Sequence, residues 1–447
     1  VRPHHLAVAL ACSIIVAAPA AAQTTRNGLF AATRAGADVK DRLTFQMSLS
    51  ESLDSEVPVE FRSLQPGNLA VGRYSNVFSG TADYLHSQRH VDLRGSASSY
   101  LRYNYALRET VVGPQSGQLG ATFHLPGTGS LSVGEDASYS PSYLYELFPG
   151  DVAQEPEAPA PVNPDYRIDT AKSYSYRSRA ALSYGDGIGT RVSATAEYRL
   201  ADYRGHAIRP DLNDYEAGAT ISHAPSRSKS FSAGYYRRSG RYGSNPWTNG
   251  QELRLGLRLS PALSVSRRVT FDVTVTPTLV DRPTSAIAAD DALPAPAEQR
   301  RYLVQGSAGV NYPFKLTWTM SAGYRRGVDY LAVLTEPVVS DAGTVGLAGI
   351  IGRRAMITVD ARYGTSAALL AQQGQRLRTA TGDARFRFAL SRSIALFTEY
   401  LYYYYDRGAQ RVLAADLPDA YDQHSVRIGV MLFAQPINHM GSGRVRR

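Results

Sequence analysis

The feature that most constrains this chain is a rhythm in its connections. Segments in which apolar and polar residues alternate with a period of two lie at 44–54, 72–86, 90–104, 117–124, 130–142, 173–184, 190–202, 212–223 and 229–239. They continue at 250–263, 268–280, 300–312, 315–326, 338–350, 354–364, 375–389, 393–405 and 420–433. A period of two marks a strand whose two faces meet different surroundings. The reading gives about eighteen strands, with about sixteen as the alternative, because 72–86 has a thin apolar face and 375–389 needs a register change near Gly382. Short connections such as 185–189, Pro313-Phe314, Gly352-Arg353 and Ser391-Arg392 alternate with long ones at 143–172, 203–211, 281–299 and 407–419. A soluble sandwich has no reason to keep that rhythm, whereas a barrel in a membrane has tight turns at one rim and longer loops at the other.

The polarity of the alternation agrees. Val269, Phe271, Val273, Val275 and Leu279 share one face, opposite Thr270, Asp272, Thr274, Thr276 and Thr278. Leu253, Leu255, Leu257 and Leu259 alternate with Arg254, Gly256 and Arg258, and Ala355, Ile357, Val359, Ala361 and Tyr363 oppose Thr358, Asp360 and Arg362. Tyr clusters at segment ends, such as Tyr400, Tyr402 and Tyr404 or Tyr174, Tyr176 and Tyr184, suit interfacial girdles. The 29 Tyr and 38 Gly of the 447 residues fit a sheet better than a helix bundle. One position conflicts: Glu135 falls on the apolar face of 130–142, a costly place unless Gly134 permits a bulge or the residue sits at the rim. The fold class expected is therefore all-β, a transmembrane antiparallel up-and-down β-barrel with an apolar exterior and a charged lumen.

The N-terminal residues 1–22 read as an export signal: Arg2, His4 and His5, an apolar run from Leu6 to Ala18, and Ala20-Ala21-Ala22 before Gln23. A lipoprotein signal ending at Cys12 is the alternative. Cys12 is the only cysteine, so a chain cut after Ala22 has no disulfides, zinc-thiolate sites or Cys nucleophiles. Residues 23–42 are then a periplasmic leader, 43–433 the barrel and 434–447 a basic, Gly-containing tail. A net charge of +9 is carried by Arg spread along the chain, which argues against nucleic acid as a partner.

The closing stretch Phe397-Thr398-Glu399-Tyr400-Leu401-Tyr402-Tyr403-Tyr404-Tyr405-Asp406, followed by Asp422-Gln423-His424-Ser425-Val426-Arg427-Ile428-Gly429-Val430, resembles the final hairpin of outer-membrane β-barrel porins, including barrels associated with exopolysaccharide export. The resemblance covers about the last forty residues. It implies an outer-membrane location, with membrane lipid and the barrel-insertion machinery as partners, and supplies no catalytic residues. Phe433 stands where such barrels end on an aromatic residue.

The sequence offers little catalytic chemistry. The nine His are scattered, no metal or cofactor motif appears, and His424 and Ser425, adjacent on one strand, point to opposite faces. His86 and His90 flank a turn as interfacial residues, and Asp290-Asp291 are solvated loop acids. No cofactor and no enzyme activity are expected. The inward set comprises Arg177, Arg179, Arg254, Arg258, Arg325, Arg362, Arg385, Arg387 and Arg427 with Asp272, Asp360 and Glu399, together with Arg191, Arg199, Glu197, Glu216 and Asp383. If those charges meet water they favour anions; if they pair across strands they fill the interior. A porin or export channel for small solutes or anionic polysaccharide is one reading. A closed barrel whose loops mediate surface interaction is the other, with a barrel enzyme third. Cell fractionation should place the chain in the outer membrane with Gln23 at its N-terminus; recovery as a cytoplasmic or soluble periplasmic protein would contradict the reading.

Overall fold

The structure, a computed structural model, describes residues 39–55, 74–105, 109–140, 172–185, 189–204, 211–264, 267–282, 299–315, 317–330, 336–369, 376–406 and 420–440. The signal, most of the leader, and the expected long loops at 143–172 and 281–299 lie almost wholly outside them, as do Asp290, Asp291 and Gly187.

Twenty strands form in chain order: β1 (Val39–Asp54), β2 (Tyr74–Ser87), β3 (Val91–Asn104), β4 (Glu109–His124), β5 (Ser130–Ser140), β6 (Lys172–Tyr184), β7 (Gly189–Arg204), β8 (Leu212–Ser226), β9 (Lys229–Tyr242) and β10 (Thr248–Leu259). Then come β11 (Ala262–Ser264), β12 (Arg267–Arg268), β13 (Thr270–Arg282), β14 (Gln299–Lys315), β15 (Trp318–Asp329), β16 (Val338–Ile351), β17 (Ala355–Ala368), β18 (Leu377–Ala389), β19 (Ile394–Asp406) and β20 (Ala420–Met440). The two shortest, β11 and β12, pair only with each other. The other eighteen form one sheet in which each strand pairs with its neighbour in the chain, β10 meets β13 across the small hairpin, and β20 returns to β1. All of these pairings are antiparallel, and the sheet has no free edge strand. No helix among the described residues is long and apolar enough to cross a membrane; the strands do so instead. Closure satisfies backbone donors and acceptors between neighbouring strands, which is what lets a sheet stand in lipid.

The two faces are told apart by their contacts. Side chains on a concave wall reach over an intervening strand, and those on a convex wall do not. Arg254 on β10 reaches Glu216 on β8 at 2.9 Å, and Arg102 on β3 pairs with Asp54 on β1. The Arg427 guanidinium on β20 lies 6.0 Å from the Tyr100 ring on β3. These residues face the lumen. The opposite face carries the exposed apolar side chains Met47, Leu253, Phe271, Val275, Met320 and Ile428. A closed barrel with this exterior is a transmembrane barrel of the outer-membrane type.

Every one of the eighteen alternating segments coincides with a barrel strand, and the differences are local. Among the described residues the barrel runs from Val39 to Met440, so 39–42 and 434–440 belong to it, paired through Leu43↔Ile437 and Asp41↔His439. Phe433 is not the end of the closing strand. β4 starts at Glu109, ahead of the expected 117, because Gly113-Pro114 occupy an irregularity opposite Tyr100 that breaks the alternation. The turn expected at Pro313-Phe314 lies instead after Lys315; Pro313 sits in a register shift, where its missing N–H costs no ladder bond. The segment 250–263 ends at Leu259, and the chain then makes the β11–β12 hairpin. No register change occurs at Gly382, and none at Gly134. Glu135 therefore points outward from an unbroken strand.

The turn between β16 and β17 shows the local chemistry: Gly352 has φ of 65°, which favours glycine. By the rule that tight turns lie on the periplasmic side, epitopes inserted at 155–165 or 285–295 should be labelled on intact cells, and insertions at Gly187 or Arg353 should not. Surface labelling at Arg353 would invert the barrel.

Candidate functional site: the charged lumen

All twelve residues expected to line the lumen lie on the inward face, and most are engaged in ion pairs, five of them with one another and four with other inward acids. Arg177 Nε is 3.3 Å from Glu197, and Arg179 Nη2 is 2.6 Å from Asp136. Arg254 binds Glu252 at 2.7 Å as well as Glu216, with the Tyr236 ring 3.8 Å beneath its guanidinium. Arg258 pairs with Asp272, and Arg325 with Asp329 at 3.0 Å. On the opposite wall Arg385 Nε donates to Glu399 at 2.6 Å, and Arg427 approaches the other Glu399 oxygen at 3.8 Å. Asp360 stands directly opposite Asp383 in the β17–β18 register, next to Arg362 opposite Thr381. Arg387 contacts the Met356 sulfur at 3.5 Å.

These positions differ in what surrounds them. The side chains of Arg258 and Asp272, near the short-turn end, are 48% and 46% exposed. Arg385, Arg387, Glu399 and Arg427 are buried. They form a packed wall and do not line open water, which corrects the sequence expectation for those four. Nearby Ala395, Phe397 and Met431 make a small apolar cluster on the same inner wall.

Burial increases toward the long-connection end. The inward residues there, among them Asp54, Asn104, Leu212, Thr248, Val280, Leu377 and Gln423, are almost fully buried. The end of β15, still paired with β16 through Asp329↔Val338, leans away from β14 over the lumen. β14 and β15 cease pairing at Gly306↔Arg326, and the Val328 N–H donates to the Gln305 side chain at 2.9 Å. Tyr330, just past β15, then reaches the β7–β10 wall. Its hydroxyl donates to the Thr248 carbonyl at 3.1 Å, its own carbonyl accepts from Arg199 at 3.2 Å, and its ring stacks on Tyr242. Burial raises the Tyr330 hydroxyl well above its ordinary range, so it remains a donor. Arg238 completes the contact, donating to the Val328 carbonyl at 3.3 Å and holding Asp214 at 2.6 Å. Gly240 is required here: a Cβ would lie 2.2 Å from the Tyr330 ring.

Sequence reasoning missed Asp54, Arg102, Asp214, Arg238, Glu252, Asp329 and Tyr330. Arg238 follows Arg237, and alternation alone shows that one faces in and the other out. The inward lean of this end had no sequence signal, since it depends on partners five to eight strands away in the chain.

The catalytic alternatives gain no geometry. Ser425 faces inward, within 3.1 Å of Ser52, while His424 is outside against Tyr400 at 2.6 Å. His86 is engaged with Asp41. Among the described residues no group of three or more His, Cys, Asp or Glu could hold a metal ion.

Removing the Glu399 carboxylate leaves two buried guanidinium groups without their shared counter-ion. Glu399→Gln should destabilise the barrel by about 3–5 kcal/mol, and Asp272→Asn, at a half-exposed pair, by about 0–1 kcal/mol. Denaturant titration of folded barrel in detergent checks the contrast, and equal effects would contradict it.

No protein-family profile and no curated relative matches the chain. Solved structures similar to it include Pseudomonas aeruginosa OpdL, at 12% identity and TM-score 0.45, covering 89% of this chain and 99% of that one. Pseudomonas aeruginosa OpdO matches at 10% identity and TM-score 0.44, covering 90% and 99%. Acinetobacter baumannii OccAB3 matches at 11% identity and TM-score 0.41, covering 89% and 99%.

Proposed function

We propose that the chain is an outer-membrane channel for small polar solutes, narrowed at its long-connection end by the segment ending at Tyr330. The observation that carries this reading is the inner wall. It carries charged side chains on most of its strands, and a barrel that only needed filling could use apolar side chains at less desolvation cost. The half-exposed Arg258–Asp272 pair gives a hydrated approach from the short-turn end. The inward contact of Tyr330 with Arg199, Arg238, Tyr242 and Thr248 narrows the lumen, which favours small solutes over a polysaccharide chain. Because acids neutralise most inward Arg locally, the channel should have only a weak anion preference. Salt screens what field remains over about 8 Å at physiological ionic strength.

Planar-bilayer recording tests this. The wild-type barrel should conduct, with a slight anion preference at low salt that fades as salt rises. Arg254→Glu with Arg258→Glu should move the reversal potential toward cations. Tyr330→Gly should raise single-channel conductance by widening the narrow region. An inserted, folded barrel that passes no current overturns the proposal and favours the closed barrel with interacting loops.

A further inference from the structure

The outer surface is uneven. Over β13–β20 it carries bulky exposed side chains such as Phe271, Met320, Tyr363 and Leu432. Over β1–β6 a hollow opens between the exposed side chains. A depression of about 560 Å³ is walled by Phe45, Met47 and Phe78 on one side and by Tyr139, Tyr174 and Tyr176 on the other. Its floor is Gly80, Ala82, Ala97, Gly117 and Ala137, and a Cβ on Gly117 would meet nothing within 4 Å. The inner packing does not demand glycine there.

Glu135 stands beside this hollow. Four residues away along its strand lie Leu131 and Tyr139, and across it Ser178 lies between Leu182 and Tyr174. It therefore sits at the middle of its strand, in the hydrocarbon band. It is exposed, and its contact is a single hydroxyl, Ser178 Oγ at 2.7 Å. No cation among the described residues pairs with it. A carboxylate facing lipid with one neutral donor is unfavourable, and a protein surface that brings a positive charge removes the penalty.

That charge is present on the same molecule, on a different face. Arg237 on β9 is exposed on the outer surface, and its side chain forms no ion pair or hydrogen bond among the described residues. Its neighbours Phe231, Tyr235 and Leu253 are about half exposed and project outward. The row Val133, Ala180, Ala196, Ala217, Arg237 connects the two patches, one strand pair per step. Rows climb with strand tilt, so Arg237 is nearer the long-connection rim than Glu135, and its long side chain can bridge the step.

We propose that copies of this chain associate in the membrane head to tail, the hollow beside Glu135 of one copy receiving the Tyr235–Leu253 projection of the next, with Arg237 meeting Glu135. The two patches are different, so the contact is heterologous and closes as a ring. Their separation of roughly a quarter of the circumference suits about three to five copies. Small residues on the hollow's floor permit the close approach that drives association in lipid, where apolar burial alone gives no gain.

The test uses the full-length folded barrel in mild detergent and in lipid nanodiscs, with the copy number read by native mass spectrometry. Wild type should contain several copies. Glu135→Arg and Arg237→Glu should each yield single copies that keep the gel mobility of a folded barrel, and the double variant should reassemble. A disulfide between Ala137→Cys of one copy and Leu253→Cys of another should form on oxidation. Single-copy wild-type particles, whether or not lipid fills the hollow, overturn the proposal, as does an assembly that both charge reversals leave intact.

Discussion

The rest of the structure depends on the seam between β1 and β20. In hydrocarbon an unpaired backbone amide has no water to turn to, so a membrane sheet must close on itself. The seam runs from Val39↔Met440 to Asp54↔Ser425, with two irregularities, at Val39/Asp41 and Leu43/Phe45. Its length explains why β20, at 21 residues, is far longer than a membrane crossing requires. It also explains why the first half of the C-terminal stretch is structural. Residues 434–440 carry no clear alternation, and they are strand because β1 supplies their partners.

Closure forces charge inward, and the lumen deals with it by pairing. Contacts such as Arg254–Glu216 and Arg102–Asp54 cross an intervening strand, so they brace the wall against flattening as well as neutralising charge. The electrostatic consequence is local. A solute passing Arg254 meets a guanidinium already shared between two carboxylates and resting on an aromatic face, which weakens its pull on a free anion. An isolated arginine ring would act at longer range. Counting inward Arg therefore overstates the field, and geometry decides it.

The barrel was legible in the sequence because strand period, face polarity and connection length are all local signals that repeat. Each of the eighteen segments recurs as a strand, and the boundary errors cluster where the alternation is interrupted by Gly113-Pro114, Pro313 and the β11–β12 hairpin. The inward identity of residues such as Arg254 and Asp360 followed from the same signal. Their partners did not. That Arg254 reaches Glu216, or that Tyr330 reaches Thr248, depends on curvature and on which strand stands opposite, and neither leaves a periodic trace. Burial was equally hidden: Arg258 and Arg427 have the same sequence signature, yet one is half exposed and the other is packed.

Two doublets show how a strand divides like chemistry between two solvents. Glu135 and Asp136 are adjacent acids, and Arg237 and Arg238 adjacent bases; in each pair one side chain faces lipid and the other the lumen. The inner members have partners on neighbouring strands, Asp136 with Arg179 and Arg238 with Asp214. Exterior charges can also pair between adjacent strands, as Arg326 does with Asp341 at 3.1 Å, but Glu135 on β5 and Arg237 on β9 stand too far apart on the wall to meet within one chain. Glu135 has one serine, and Arg237 has only the apolar and amide side chains of its row. The convex wall that keeps them apart presents them to a neighbouring molecule, and the sign of each is what the other lacks.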